Sequence, residues 1–202
     1  MNMFPRFLFR GDSDKYNERK LRDTISSGVL LTNLSNGGNG KEILTSDFYQ
    51  LVNKHINIGW SKTHFLSFTT NENTAFYYAT KSIEFEELFN IYEKWDFCVL
   101  TFDFNSLQKD TIHEYVKGLY YAEYYPICKE FYPRFKILLI DTYNFLINKN
   151  NIKSEMNQAI FKAERDNEWL ILPLNSFGIS GEFTSKLDIN CISEKRIFKE
   201  IK

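Results

Sequence analysis

Three short segments of this 202-residue chain carry side chains that could act together, although long stretches separate them. Phe9-Arg10-Gly11 sets an arginine where an apolar stretch, Phe4 to Arg10, reads as a strand that Gly11-Asp12 then breaks. Leu66-Ser67-Phe68-Thr69-Thr70 belongs to an alternating run from Thr63 to Thr69, which puts Phe65, Ser67 and Thr69 on one strand face and His64, Leu66 and Phe68 on the other. Asp166-Asn167-Glu168 holds two carboxylates two residues apart, at the mouth of the apolar strand Trp169 to Pro173. The chemistry these residue types share is cleavage of a bond to a sugar. A fixed carboxylate can bind a sugar hydroxyl and stabilise positive charge on the ring as the bond breaks. The planar donor fork of an arginine suits phosphate or sugar oxygens. A serine hydroxyl can orient the carboxylate from behind.

Each segment alone has an ordinary explanation. Arg10-Gly11-Asp12 is a turn after a strand, Ser67 and Thr69 suit a strand with no site, and Asp166 and Glu168 make a solvated corner. Taken in order, Arg10, then Ser67 and Thr69, then Glu168, the set resembles the R-S-E branch of the ADP-ribosyltransferases, which includes the cholera-toxin-like and C3-like enzymes. Ser67-Phe68-Thr69 matches that family's Ser-Thr-Ser element, with phenylalanine at its centre. Asp166 stands where the family usually has Glu or Gln, a shorter carboxylate with shorter reach.

The resemblance implies cleavage of NAD at the nicotinamide–ribose bond and transfer of ADP-ribose to a macromolecular acceptor, protein or nucleic acid. By it, Glu168 is the catalytic glutamate, Ser67 positions it and Arg10 contacts the NAD phosphate or ribose. Gly11 lets the backbone approach the nucleotide closely, Phe68 and Thr69 belong to the NAD-binding strand, and Tyr78 faces the nicotinamide pocket. Asp166 contacts the acceptor. NAD is a substrate, and no metal is expected. The implied fold is α+β: an ADP-ribosyltransferase-like split fold of two packed, mixed or antiparallel sheets flanked by helices, with an NAD cleft between them. Family habit implies a toxin or effector, with an antitoxin or immunity partner. NAD hydrolysis in the same cleft is the alternative enzyme.

The elements that must position these residues follow from periodicity. Helices are expected over Asp14 to Ser27, from a Ser46 cap to about Lys54, from Thr69, with capping-box spacing to Glu72, over Ile112 to about Lys129, and from Ser154 to about Ala163. In the helix after Thr69, Ala75, Phe76 and Ala79 form the packed stripe. Phe97 to Phe104 and Ile189 to Ile201 read as strands, Asn33 to Gly40 as a loop, and the apolar run Phe135 to Ile140 is ambiguous. Absence of regular βαβ alternation argues for α+β with a largely antiparallel or mixed sheet.

Composition bounds the rest. With 43% apolar residues, the chain suits one domain, 1–202. A net charge of −1 points to neither nucleic acid nor an anionic membrane. No apolar run approaches a membrane span, so a cytoplasmic protein is expected, or one delivered into a target cell by another system. Cys98, Cys128 and Cys191 lack disulfide or zinc spacing. His64 falls on the face opposite Ser67, and His55 and His113 have no evident partner. Tyr115 to Lys136 interleaves aromatics with basic residues, so the other class of reading is a non-catalytic nucleic-acid-binding module built on that segment. A tyrosine-faced helix packed on the sheet is the favoured explanation of it, because aromatic stripes are usually core.

Overall fold

The computed structural model describes residues 4–13, 29–31, 48–58, 65–89, 97–104, 111–124, 135–148, 154–173, 186–188 and 192–198. In chain order they form β1 (Phe7–Ser13), β2 (Val29–Leu31), α1 (Phe48–Ile58), β3 (Leu66–Thr69), α2 (Glu72–Phe89), β4 (Phe97–Asp103), β5 (His113–Val116), β6 (Leu119–Tyr124), β7 (Phe135–Asp141), α3 (Thr142–Ile147), α4 (Ser154–Asp166), β8 (Glu168–Pro173), β9 (Lys186–Asp188) and β10 (Ile192–Phe198). The expected helix at 14–27, the loop at 33–40, Ser46, His64, Cys128 and Cys191 lie outside the described residues.

The fold is mixed α/β, built on one antiparallel sheet. Eight strands run in the order β10-β4-β1-β3-β8-β7-β6-β5, and β2 pairs with β9 as a separate ribbon. Two packed sheets were expected; eight of the ten described strands instead form this single long ladder. It narrows at one place. β1 matches β4 along its whole length, from Phe7↔Asp103 to Ser13↔Phe97, yet meets β3 only at Phe9↔Thr69. β3 pairs all 4 of its residues with β8 but only Thr69 with β1. Nor does β1 stop at Gly11-Asp12 as expected: Gly11 and Asp12 continue the pairing with Val99 and Cys98.

Alternation then separates two apolar layers. Leu8, Leu66, Phe68, Leu100, Phe102 and Ile171 fill one side of the sheet. Phe65, Leu170 and Leu172 point to the other, where Val52 and Ile56 of α1, Phe145 of α3, and Ala159 and Ala163 of α4 cover them. Ser67 and Thr69 share the parity of Phe65, so they lie on the helix-covered side. The ambiguous run Phe135 to Ile140 is a strand paired on both flanks, by β6 and β8. Apolar residues on both faces explain why it shows no helical or alternating signal.

The helix expected from Ile112 is a hairpin instead. β5 and β6 flank Lys117-Gly118, and Gly118 takes φ 82°, which a residue with a side chain adopts at a cost. Tyrosine suits a pleated strand, and Tyr120 and Ala122 enter the core while Tyr121 and Glu123 stay partly exposed. All four residues of β5 are exposed at the sheet edge.

Helix α2 begins at its own cap. Asn71 Oδ1 accepts from the Asn73 and Thr74 amides at 2.9 and 3.4 Å, so Asn71, not Thr69, fills the cap position. Ala75 and Ala79 are buried and Phe76 is 43% exposed, so the packed stripe contains the two alanines without the phenylalanine. Small residues are required there because α2 lies directly on β1. A Cβ on Gly11 would collide with the Ala75 carbonyl and stand 2.8 Å from the Ala79 nitrogen. No helix among the described residues is long and apolar enough to cross a membrane.

Gly11→Ala should destabilise the fold by about 1–3 kcal/mol, because backbone and not a flexible side chain must move. Urea denaturation measures this, and an unchanged midpoint would mean that α2 does not seat on β1.

Candidate active site

The corner between α4 and β8 brings the late segment to the early ones. Asp166 ends α4, Asn167 turns the chain with φ 47°, and Glu168 opens β8. Asparagine tolerates this left-handed conformation better than other residues with a side chain. Asp166 and Glu168 are therefore separated by a helix end and a turn, where an extended loop was expected. The corner is tied to β3 at two points. The Thr70 amide donates to the Asn167 carbonyl at 3.2 Å. The Thr69 hydroxyl donates to the Asp166 carbonyl at 2.6 Å and accepts from the Asn71 amide at 3.0 Å.

From that corner the register runs Thr69↔Glu168, Phe68↔Trp169, Ser67↔Leu170. Directly opposed residues share a face, so Glu168 is the diagonal neighbour of Ser67 on the helix-covered side. The Ser67 hydroxyl hydrogen-bonds the Glu168 carboxylate. Behind it, His55 Nε2 lies 2.7 Å from Ser67 Oγ. His55 is buried in α1, with its ring edge-on to Phe65 at 5.5 Å.

Arg10 approaches from β1, beside the narrow β1–β3 junction. Its Nη1 donates to the Ser67 carbonyl at 3.0 Å, and Nε and Nη2 reach Asp12 Oδ2 at 3.4 and 3.2 Å. The pair is largely withdrawn from water, at 16% and 8% side-chain exposure. The Arg10–Asp12 bonds hold the fork in plane, so the cation stays beside β3.

An outer group surrounds Asp166. Arg165 grips both its oxygens at 2.7 Å, the Tyr78 hydroxyl donates to Oδ2 at 2.6 Å, and Arg165 Nη2 donates to the Tyr78 oxygen at 3.2 Å. Partial burial, then the bond to Asp166, hold the Tyr78 phenol well above its usual range.

Burial sets the protonation states. It pushes the Glu168 carboxyl up to about 7; the Ser67 hydrogen bond opposes this, the Asp166 charge adds to it, and Lys162 and Arg165 oppose it. The residue as a whole keeps some surface, and its carboxyl is the desolvated part. His55 moves the other way, down to about 4, through burial and then the Arg10 charge, so it is neutral near pH 7.

Of the residues singled out from sequence, Ser67, Thr69 and Glu168 share the helix-covered face, with Asp166 and Tyr78 at the outer side, while Arg10, paired with Leu100 of the other layer, joins them at the Ser67 carbonyl. Thr69 ties down the corner with its hydroxyl. Phe68 is 2% exposed in the opposite layer, edge-on to Phe102, and cannot reach the cluster. Gly11 admits α2 rather than a ligand. The Asp166 carboxylate is occupied by Arg165 and Tyr78. Unforeseen were His55, Asp12, Lys162 and Arg165. Nothing local in the sequence links His55 to Ser67, since α1 reaches β3 only through tertiary packing. Arg165, adjacent to Asp166, was open to a charge-pair reading.

No group of three or more His, Cys, Asp or Glu side chains among the described residues could hold a metal ion. No protein-family model matches the chain, and no curated protein matches it.

The raised Glu168 carboxyl has a consequence for stability. Its folded value near 7 exceeds the ordinary 4.5, so between these values the folded protein binds the extra proton. Stability from this group is therefore present at low pH and lost as pH rises through that window. Glu168→Gln should flatten this slope and gain up to about 3 kcal/mol above it. Denaturant midpoints measured across pH decide, and equal slopes in both proteins would mean a solvated carboxyl.

Proposed function

We propose that this chain is a mono-ADP-ribosyltransferase that cleaves NAD and transfers ADP-ribose to a macromolecular acceptor. The observation that carries the reading is that Arg10, Ser67 and Glu168 stand on three adjacent strands, the arginine bonded to the Ser67 carbonyl and the serine hydroxyl to the glutamate. Arg10 and Ser67 are 57 residues apart and Thr69 and Asp166 are 97 apart, so their meeting reflects the fold and not local sequence. The narrow β1–β3 junction is the place where a split ADP-ribosyltransferase-like sheet would part, and in this reading it borders the NAD cleft.

The chemistry needs charge placement more than covalent participation. The bond from the ribose C1′ to the nicotinamide nitrogen breaks, and its electron pair leaves with nicotinamide, which departs neutral. Positive charge develops on the ribose, and the Glu168 carboxylate stabilises it and accepts a hydrogen bond from the 2′-hydroxyl. The acceptor then bonds to C1′ and gives up a proton. Ser67 fixes the carboxylate. Arg10 uses three of its N–H groups on Ser67 and Asp12, and the other two of the guanidinium's five suit phosphate or ribose oxygens. Tyr78, 37% exposed, offers a ring edge to the nicotinamide side. A toxin or effector role with an antitoxin partner accompanies this reading.

The nucleic-acid module has less support. The described part of Tyr115 to Lys136 divides its rings, with Tyr120 stacked on Trp169 in the core while Tyr115 is 64% exposed. It offers no continuous stacking face.

The test is labelled NAD with a cell lysate, the native protein beside Glu168→Gln, and protease or nuclease digestion of the products. The native protein should label macromolecules, and Glu168→Gln should lower the rate by roughly 10²–10³-fold. Nicotinamide release without labelling would instead indicate the hydrolase, and no NAD consumption by the native protein would overturn both. Arg10→Lys should raise KM more than it lowers kcat, because a point charge replaces a two-pronged donor. Steady-state kinetics on NAD separates the two.

A further inference from the structure

Ser67 Oγ has two partners. His55 Nε2 lies 2.7 Å away, and the same hydroxyl bonds the Glu168 carboxyl, its diagonal neighbour on β8. A hydroxyl has a single proton to give and two lone pairs to accept with. A neutral imidazole nitrogen either donates or accepts. Were Nε2 the acceptor, Ser67 would spend its proton on the imidazole, and its lone pairs would face an ionised carboxylate. Only with Nε2 as donor do both bonds persist while Glu168 is charged. The His55 proton then enters Ser67 Oγ, and the Ser67 proton enters the carboxylate.

We infer that His55 is a positioning residue, whose Nε2–H commits the Ser67 hydroxyl proton to the Glu168 carboxylate and so favours its ionised form. The inference deepens the proposed NAD chemistry and rests on Glu168 being its catalytic carboxylate. The ring suits the task because it is buried and neutral at the pH of interest, with the Arg10 cation close by and the Arg10–Asp12 pair keeping that cation in place. Other charges act on the same carboxylate: Asp166 opposes its ionisation, and Lys162 and Arg165 favour it. Across the corner, the Tyr78 phenol also senses Glu168. His55 differs from all of these because it works through the direction of one hydrogen bond and carries no charge.

Two variants isolate the effect. His55→Phe keeps a flat ring but has no donor, and His55→Gln returns an N–H at similar reach. The measurement is the titration of the Glu168 carboxyl carbon by NMR, together with the pH profile of NAD cleavage. Losing one neutral hydrogen bond should move the Glu168 midpoint in His55→Phe upward by roughly half to one pH unit, and His55→Gln should restore most of it. The pH profile should move with it while KM stays nearly constant. Nitrogen NMR of the native protein should find the His55 proton on Nε2 above the Glu168 midpoint. An unshifted midpoint in His55→Phe, or a native His55 with its proton on Nδ1 alone, would overturn the inference. If His55→Phe does not fold, the tautomer of the native protein decides. The NMR readouts need no turnover, so a protein that leaves NAD intact would defeat the proposed function and still report on His55.

Discussion

Everything around the candidate site answers to one constraint, a carboxylate withdrawn from water. Glu168 is desolvated strongly enough to bring its carboxyl to about 7. An isolated buried charge is costly, and proteins tolerate it only with compensating hydrogen bonds and counter-charges. Here the compensation comes from three elements: the Ser67 hydroxyl on β3, with His55 of α1 behind it, and the Lys162 and Arg165 charges on α4. Arg10 stays on the far side of Ser67, bonded to its carbonyl. Moving any of these elements changes the solvation of a single side chain.

The corner at Asn167 converts that constraint into geometry. A helix that ended one residue later would shift β8 by one position, and in a strand such a slip exchanges the two faces. Glu168 would then enter the apolar layer of Phe68 and Phe102. The left-handed turn, the Thr70–Asn167 bond and the Thr69–Asp166 bond jointly forbid the slip. The Arg165–Asp166–Tyr78 group closes the same corner from outside and connects α4 to α2. Since α2 is also seated on Gly11, the strand carrying Arg10 and the corner carrying Glu168 share one support.

Much of this was legible in the residues. The alternation in Phe65 to Thr69 gives the correct faces, because a half-buried strand must alternate. Ser154 starts a helix, and the run from Trp169 to Pro173 is a strand, through similarly local rules. Failures came where a local rule met tertiary competition. Thr69 has capping-box spacing, but its hydroxyl is claimed by Asp166, and Asn71 takes over the cap. The tyrosine-rich segment after Ile112 reads as helical, yet Gly118, at φ 82°, turns it into a hairpin whose tyrosines suit a pleated strand. His55 was invisible for another reason. Its partner lies 12 residues away in another element, and no periodicity encodes that distance.

The order of the strands also fixes when the cluster can come into being. β3 is held between β1, the first strand, and β8, which closes near residue 173. A chain emerging from a ribosome presents its amino-terminal part first. Arg10, His55 and Ser67 therefore emerge long before Glu168, and the pairing Thr69↔Glu168 must wait for it. Contacts this distant in sequence are also slow to close, since a long loop has to be ordered before they form. A partly made or truncated chain lacking β8 thus carries the arginine, the histidine and the serine without the carboxylate that the serine and histidine adjoin.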